Sequence, residues 1–492
     1  MTLRGAAFFA LMVAMSPIPA HAQTVGPHFD PVFADHAVLQ RDRPLRLSGS
    51  AAPGQALKLK VAEQSVAVVA DASGNWAATL SPLAAGGPYR MTVTGSTGNS
   101  AAIDDIMIGD VFLCGGQSNM SYLTKFATNA SNQLKTPADP MIRFATIPID
   151  QPSLERMKLR ETIGWRIAAP DTLGETSAVC YYMALELKKA KGVTIGLVRS
   201  SLGGTRVERW LSADALRQVP PFGDRVAALQ AFAKSPEAGR AASHLPLAPR
   251  APWTGGNGLG TLYNGMIAPL RSYAFKGVIW YQGESNVPDP FTYRRLLPML
   301  MRDWRRTFAD PALPFVMVQL TAFGPVATKP VKSDWAETRE VQRQVALTEP
   351  KTALVVSIDS GDRSDIHPAQ KKIVGQRIAR AMRNLAYGDP VSVGGPRPTA
   401  AVRKGSDVVI RFDDTDGALL TYSADQAIGF EICDRARACR YAAARVEGDS
   451  VVLNGSNQPA AAFVRYAWAN SPVVNLYGKT DIPAIPFELA IP

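Results

Sequence analysis

The sequence predicts an α/β protein built on a five-stranded parallel sheet in three layers, with a β-sandwich-like module on either side of it in the chain. Three observations carry that prediction. Residues 25–103 consist of short alternating apolar stretches such as "LRLSG", "LKLKVA" and "YRMTVTG", separated by Gly, Pro, Asp and Asn. From about residue 104 to 389, apolar strands alternate with helical periods, the pattern of a parallel sheet covered by helices. Beyond 391 the strand-and-turn text returns. The expected units are therefore 1–22, 23–104, 105–390 and 391–492.

Residues 1–22 place Arg4 ahead of an apolar run and end at Ala20-His21-Ala22, the layout of a secretory signal. The run is too short to span a bilayer, and no other segment approaches the length that a spanning helix needs. The expected product is exported, to the periplasm or outside the cell, with no membrane span. In the central unit the strands are "DVFLC", "TIGLVRS", "GVIWYQ", "PFVMVQL" and "TALVVSI". Helical periods fall on "AVCYYMALELKKA", "TYRRLLPMLMRDWRRTF", "AETREVQRQVAL" and "AQKKIVGQRIARAMRNLA". Residues 218–261, rich in Pro, Ala and Gly, read as an inserted loop. The last unit offers "DVVIRF", "GFEIC", "SVVLNG" and "FVRYAW" as strands.

The formal charge of +11 is spread along the chain, and no basic run interleaved with aromatics marks a nucleic-acid surface. Four cysteines are too few for a disulfide framework in 492 residues. Cys433 and Cys439, in "CDRARAC", are placed to close a small hairpin, whereas Cys114 and Cys180 sit in apolar text and are expected as buried thiols. No CxxC pair or histidine cluster implies a metal, and no cofactor is expected.

Four strand ends of the central unit carry polar, glycine-bearing text. The first, "GGQSNM", puts Ser118 just past an apolar strand, where α/β proteins keep reactive groups. The second, "SSLGGTRVERW", has Gly203 and Gly204, which let a backbone N–H approach a ligand unhindered, as an oxyanion hole requires. The third, "VIWYQGESN", gathers Gln282, Glu284, Ser285 and Asn286. Ser285 rivals Ser118 as nucleophile, but Glu284 beside it opposes an alkoxide whereas neutral Gln117 does not. The fourth, "DSGDRSDIHPAQ", holds His367 two residues after Asp365. A serine hydroxyl needs a base within hydrogen-bond reach, usually histidine. Of the five histidines, His21 leaves with the signal, His28 and His36 belong to the first β unit, and His244 lies in the Pro-rich loop. His367 remains.

The ordered motifs "GGQSNM", "SSLGGT", "WYQGESN" and "DIHP" resemble the sialate O-acetylesterase-like branch of the SGNH (GDSL-type) hydrolases, over about Val111 to Ala381. The resemblance implies a flavodoxin-like SGNH domain and a carbohydrate O-acetylesterase working through an acyl-enzyme. It implies Ser118 as nucleophile, His367 as general base and Asp365 as orienting carboxylate, with Glu284 and Asp359 as alternatives for the last role. It also implies an oxyanion hole made from the N–H groups of Ser118 and Gly204 and the side chain of Gln282. Gln117, Asn119, Arg206, Glu284 and Trp253 are the expected substrate contacts, with Glu208, Trp210 and Trp280 as further candidates that double as core residues. The expected partner is an acetylated carbohydrate, either a plant polysaccharide or sialic acid. Two other readings use the same residues: a lipase or thioesterase, and a non-catalytic carbohydrate-binding protein.

Overall fold

The computed structural model describes residues 26–220, 222–235, 258–456 and 458–492. The expected signal at 1–22 and most of the expected insertion, including His244 and Trp253, lie outside them. Seven strands form the path that positions the site: Ser100–Gly116 (β1), Asp139–Thr146 (β2), Arg166–Ala168 (β3), Ile195–Ser201 (β4), Gly277–Tyr281 (β5), Phe315–Val318 (β6) and Thr352–Val355 (β7). Their spatial order is β3-β2-β4-β1-β5-β6-β7. Every pairing in it is parallel except β3 with β2.

All five strands read from the sequence lie in this sheet, so the expected count is extended to six parallel strands and an antiparallel edge. The additional parallel strand, β2, begins with Asp139 and Pro140 and buries fully only Ile142 through Ala145. That short core is why its text does not read as a strand.

β1 is 17 residues long and serves two environments. Its first part pairs antiparallel with Gly86–Gly95 and alternates between buried and exposed residues. Its last nine residues are all buried, as expected where helices cover both faces. The sequence boundary expected at 104 thus falls inside one continuous strand.

The helices that matter for the site are Ser118–Ser121 (α1), Ala178–Lys191 (α2), Pro290–Thr307 (α3), Asp334–Thr348 (α4) and Lys371–Tyr387 (α5). Side chains alternate across the sheet. Phe112, Cys114, Ile279 and Tyr281 pack with α2 and α5. Val111, Leu113, Val278 and Trp280 pack with α3 and α4. The result is three layers, with the carboxyl ends of the parallel strands along one rim.

Cys114 and Cys180 are joined in a disulfide, as are Cys433 and Cys439. The first pair corrects the expectation of buried thiols. Cys114 points from β1 toward the α2 face, and Cys180 in the first turn of α2 packs against that face, a meeting between residues 66 apart that local sequence does not reveal.

Residues 397–490 form two four-stranded sheets and a two-stranded ribbon around their own core. Arg339 of α4, fully buried, donates to the carbonyls of Leu320 and Thr321 and to those of Ala469 and Asn470, which fastens this module to the rim of the central sheet. Burial holds its guanidinium down to about 9. No helix among the described residues is long and apolar enough to cross a membrane.

Candidate active site

The site begins where β1 and β5 end side by side. Gly116 has φ +137°, and a Cβ there would stand 2.1 Å from the Tyr281 carbonyl oxygen, so only glycine lets the two strands run together to their ends. Gln117 then donates its N–H to Tyr281 O at 3.0 Å, and the chain turns into α1, whose first residue is Ser118. Gly203, at the end of β4, presses on this turn: its would-be Cβ lies 3.3 Å from Ser118 Cβ. Gly204 follows with φ +68° and open space beside it.

Ser118 Oγ and His367 Nε2 are 2.7 Å apart, although 249 residues separate them in sequence. The histidine rides on the loop between β7 and α5, and its side chain is 36% exposed. Asp365 accepts the backbone N–H of His367 at 2.8 Å, but its carboxylate stands 3.7 Å from His367 Nδ1 and is 59% exposed. That separation allows an ion pair and is too long for a hydrogen bond. The other two carboxylates are engaged elsewhere. Asp359 is held by both terminal nitrogens of Arg377 at 2.7 Å, and Glu284 accepts from Asn119 Nδ2 at 2.6 Å. Among the described residues no hydrogen bond joins Ser285 to His367; the Ser285 N–H reaches Gln117 Oε1 at 3.4 Å.

The structure corrects several expected roles. Gln282 is fully buried, and both hydrogens of its amide are committed, to Thr205 O at 3.1 Å and Asn286 Oδ1 at 2.7 Å. It therefore has no hydrogen left for an oxyanion, and instead pins the Gly203–Thr205 turn from below. Asn286 completes that support by accepting from Val207 N–H at 2.9 Å and donating to Glu208. Among the described residues, none accepts from the backbone N–H of Ser118 or Gly204, and these remain the donors free to meet an oxyanion.

Gln117, Asn119 and Glu284 are buried and hydrogen-bonded inside the protein, so they do not face a substrate. Trp210 and Trp280 are core residues: they are fully buried, meet edge-to-face at 6.0 Å, and Trp280 packs on Trp304 at 5.4 Å. Trp253 lies outside the described residues. Arg206, 37% exposed and 3.3 Å from Glu208, is the one expected contact among the described residues that remains available on the rim.

Lys371 is the residue that sequence reasoning missed. It is fully buried at the first position of α5, and its Nζ donates to Asn119 Oδ1 at 2.6 Å. Burial pushes this amine down to about 7 and pushes the Glu284 carboxyl up, while their mutual attraction opposes both shifts. A signal was present, since lysine in the first turn of a helix opposes the helix dipole and calls for another reason.

Residues 108–384 match the family described as carbohydrate esterase, sialic acid-specific acetylesterase. The chain is 29% identical to a sialate O-acetylesterase of Mus musculus across 97% of each chain. It is 30% identical to that of Homo sapiens over 66% of this chain and 63% of the other. A crystal structure of a carbohydrate acetylesterase from Xanthomonas citri superposes with a TM-score of 0.82 at 33% identity, covering 94% of this chain and 99% of that one.

Proposed function

The chain belongs to the carbohydrate esterase family described as sialic acid-specific acetylesterase, and from that premise we propose that it removes O-acetyl groups from sugars through an acetyl-serine intermediate. The single observation that carries the mechanism is the 2.7 Å contact between Ser118 Oγ and His367 Nε2. In this reading Ser118 Oγ attacks the acetyl carbonyl carbon as its proton passes to His367 Nε2. The N–H groups of Ser118 and Gly204 receive the negative charge that develops on the carbonyl oxygen. His367 returns the proton to the sugar oxygen as the C–O bond breaks. Water, deprotonated by His367, then hydrolyses the acetyl-serine and acetate leaves.

Asp365 acts in this scheme as a solvent-screened charge near Nδ1 rather than as a buried third member of a triad. Arg206 is the proposed rim contact for the sugar. The chain's export is supported by its two disulfides, which persist in oxidising compartments. The proposed organisation is an SGNH-type catalytic unit ending near 390 between two β units, with β1 running through the expected limit at 104 and joining the first β unit to it.

Acetate release tests the reading, with O-acetylated sialic acid measured first beside acetylated xylan, xyloglucan and pectin. The expected result is release from at least one of these sugars, lost by 10³-fold or more in Ser118→Ala and His367→Ala. Activity retained in either variant, or a preference for long acyl esters over acetyl esters, would overturn it.

A further inference from the structure

The Ser118–His367 pair explains acyl transfer without Lys371, Asn119 or Glu284, yet these three form one buried unit directly behind it. The amine of Lys371 has a single hydrogen-bond acceptor among the described residues, Asn119 Oδ1 at 2.6 Å. The rings of Tyr122 and Tyr281 lie 4.8 and 5.6 Å from it. On the far side of the amide, Glu284 Oε1 accepts from Asn119 Nδ2 at 2.6 Å. Holding an amine and a carboxyl in a dry place is costly, so the arrangement calls for an explanation.

The explanation lies in what the two groups do to the amide between them. When the two are ionised as a pair, the Lys371 ammonium only donates and the Glu284 carboxylate only accepts, and the Ile366 carbonyl only accepts in any state. Asn119 therefore has one permitted orientation, oxygen toward Lys371 and nitrogen toward Glu284. With the amide fixed, the second hydrogen on Nδ2 is aimed at the carbonyl of Ile366, 3.0 Å away. Ile366 immediately precedes His367, on a loop whose residues 361–365 are all exposed and give the ring little packing of their own. Asn119 immediately follows Ser118.

We propose that Lys371 and Glu284 are positioning residues: by orienting the Asn119 amide, they lock the Ile366 carbonyl, and through it the His367 ring, onto the turn that carries Ser118. This rests on the reading of Ser118 and His367 given above. Neither residue touches substrate. A ring displaced by about 1 Å loses on the order of 100-fold in rate, so the effect belongs in kcat and not in substrate affinity.

The test uses the full chain and an aryl acetate, with kcat counted per site titrated by a fluorophosphonate, so that misfolded protein does not enter the rate. Lys371→Met removes the donor that orients the amide. Asn119→Asp is isosteric and keeps the oxygen facing Lys371, but sets an oxygen against both Glu284 and the Ile366 carbonyl. The expected result is a fall in kcat per site of at least tenfold for Lys371→Met and about 100-fold for Asn119→Asp, with KM within twofold of the parent. If Lys371→Met does not fold, Asn119→Asp decides alone. A folded variant with kcat within twofold of the parent, or a loss confined to KM or to the titratable fraction, would overturn the proposal. Ser118→Ala and His367→Ala run in parallel keep the two failures apart. If both are inactive while Lys371→Met is unimpaired, the positioning role alone falls; if either is active, the parent reading falls first.

Discussion

Asp365→Asn separates a buried-triad mechanism from the looser arrangement described here. The asparagine oxygen can still accept the His367 N–H that Asp365 accepts at 2.8 Å, so the loop keeps its backbone anchor and only the charge is removed. At 3.7 Å from Nδ1, a unit charge stabilises an imidazolium by about 1 kcal/mol in a water-like medium and by several times that in a poorly hydrated one. With the carboxylate 59% exposed and the imidazole 36% exposed, the water-like value applies. About 1 kcal/mol is roughly a fivefold loss in kcat, against the loss of about 10⁴ that follows neutralising a buried, hydrogen-bonded triad aspartate. Initial rates on an aryl acetate, confirmed by acetate release from the preferred sugar, measure the difference directly. A drop of 10³ or more in Asp365→Asn would refute the reasoning, because it would mean that the carboxylate closes onto Nδ1 in the working enzyme.

The two glycines after β4 are expected to fail in opposite ways. Gly203→Ala sets a methyl 3.3 Å from Ser118 Cβ, so the nucleophile shifts by a few tenths of an ångström and kcat falls about tenfold with little change in stability. Gly204→Ala meets open space but holds φ at +68°, which costs about 1 kcal/mol of stability while kcat stays within about threefold; rates beside denaturant unfolding show whether the pattern reverses. In the C-terminal module, burial raises the Glu431 carboxyl to about 7, above its unfolded value, so stability is given up as pH rises from about 4.5 through 7. Glu431→Gln is therefore expected to gain about 3 kcal/mol at pH 8 and nothing at pH 4, and an equal gain at both would show that the charge is not the cause.

What the sequence made legible follows from what is local. The five core strands declare themselves because each is a continuous apolar run ending in glycine or a polar turn, and Ser118 and His367 lie at two of those ends. Histidine scarcity did the rest. The strand β2 was hidden because Asp139, Pro140 and Arg143 interrupt its apolar text, and Arg143 is buried through distant partners, the backbone oxygens of His36 and Asp105 and the Asp105 carboxylate. Gln282 misled for a different reason. A polar residue at the mouth of a strand looks available, and only the fold shows Thr205 and Asn286 already occupying its amide. Lys371 and Cys180 share a cause too, since both depend on which residues of α5 and α2 the fold turns toward α1 and β1.

The long strand β1 has a practical consequence for anyone who wants the hydrolase alone. Cutting the gene at residue 104 leaves Ile106 and Ile108, both fully buried, at a raw end, without the Gly86–Gly95 strand that pairs with them. Val38–Gln40, which runs alongside residues 107–109, would vanish as well. A stand-alone fragment would need a substitute edge there, and the frayed segment would be only seven residues upstream of Gly116, whose tight turn aims the reactive hydroxyl. Residues 26–104 are in this sense part of the tool, and libraries of hydrolase variants should retain them.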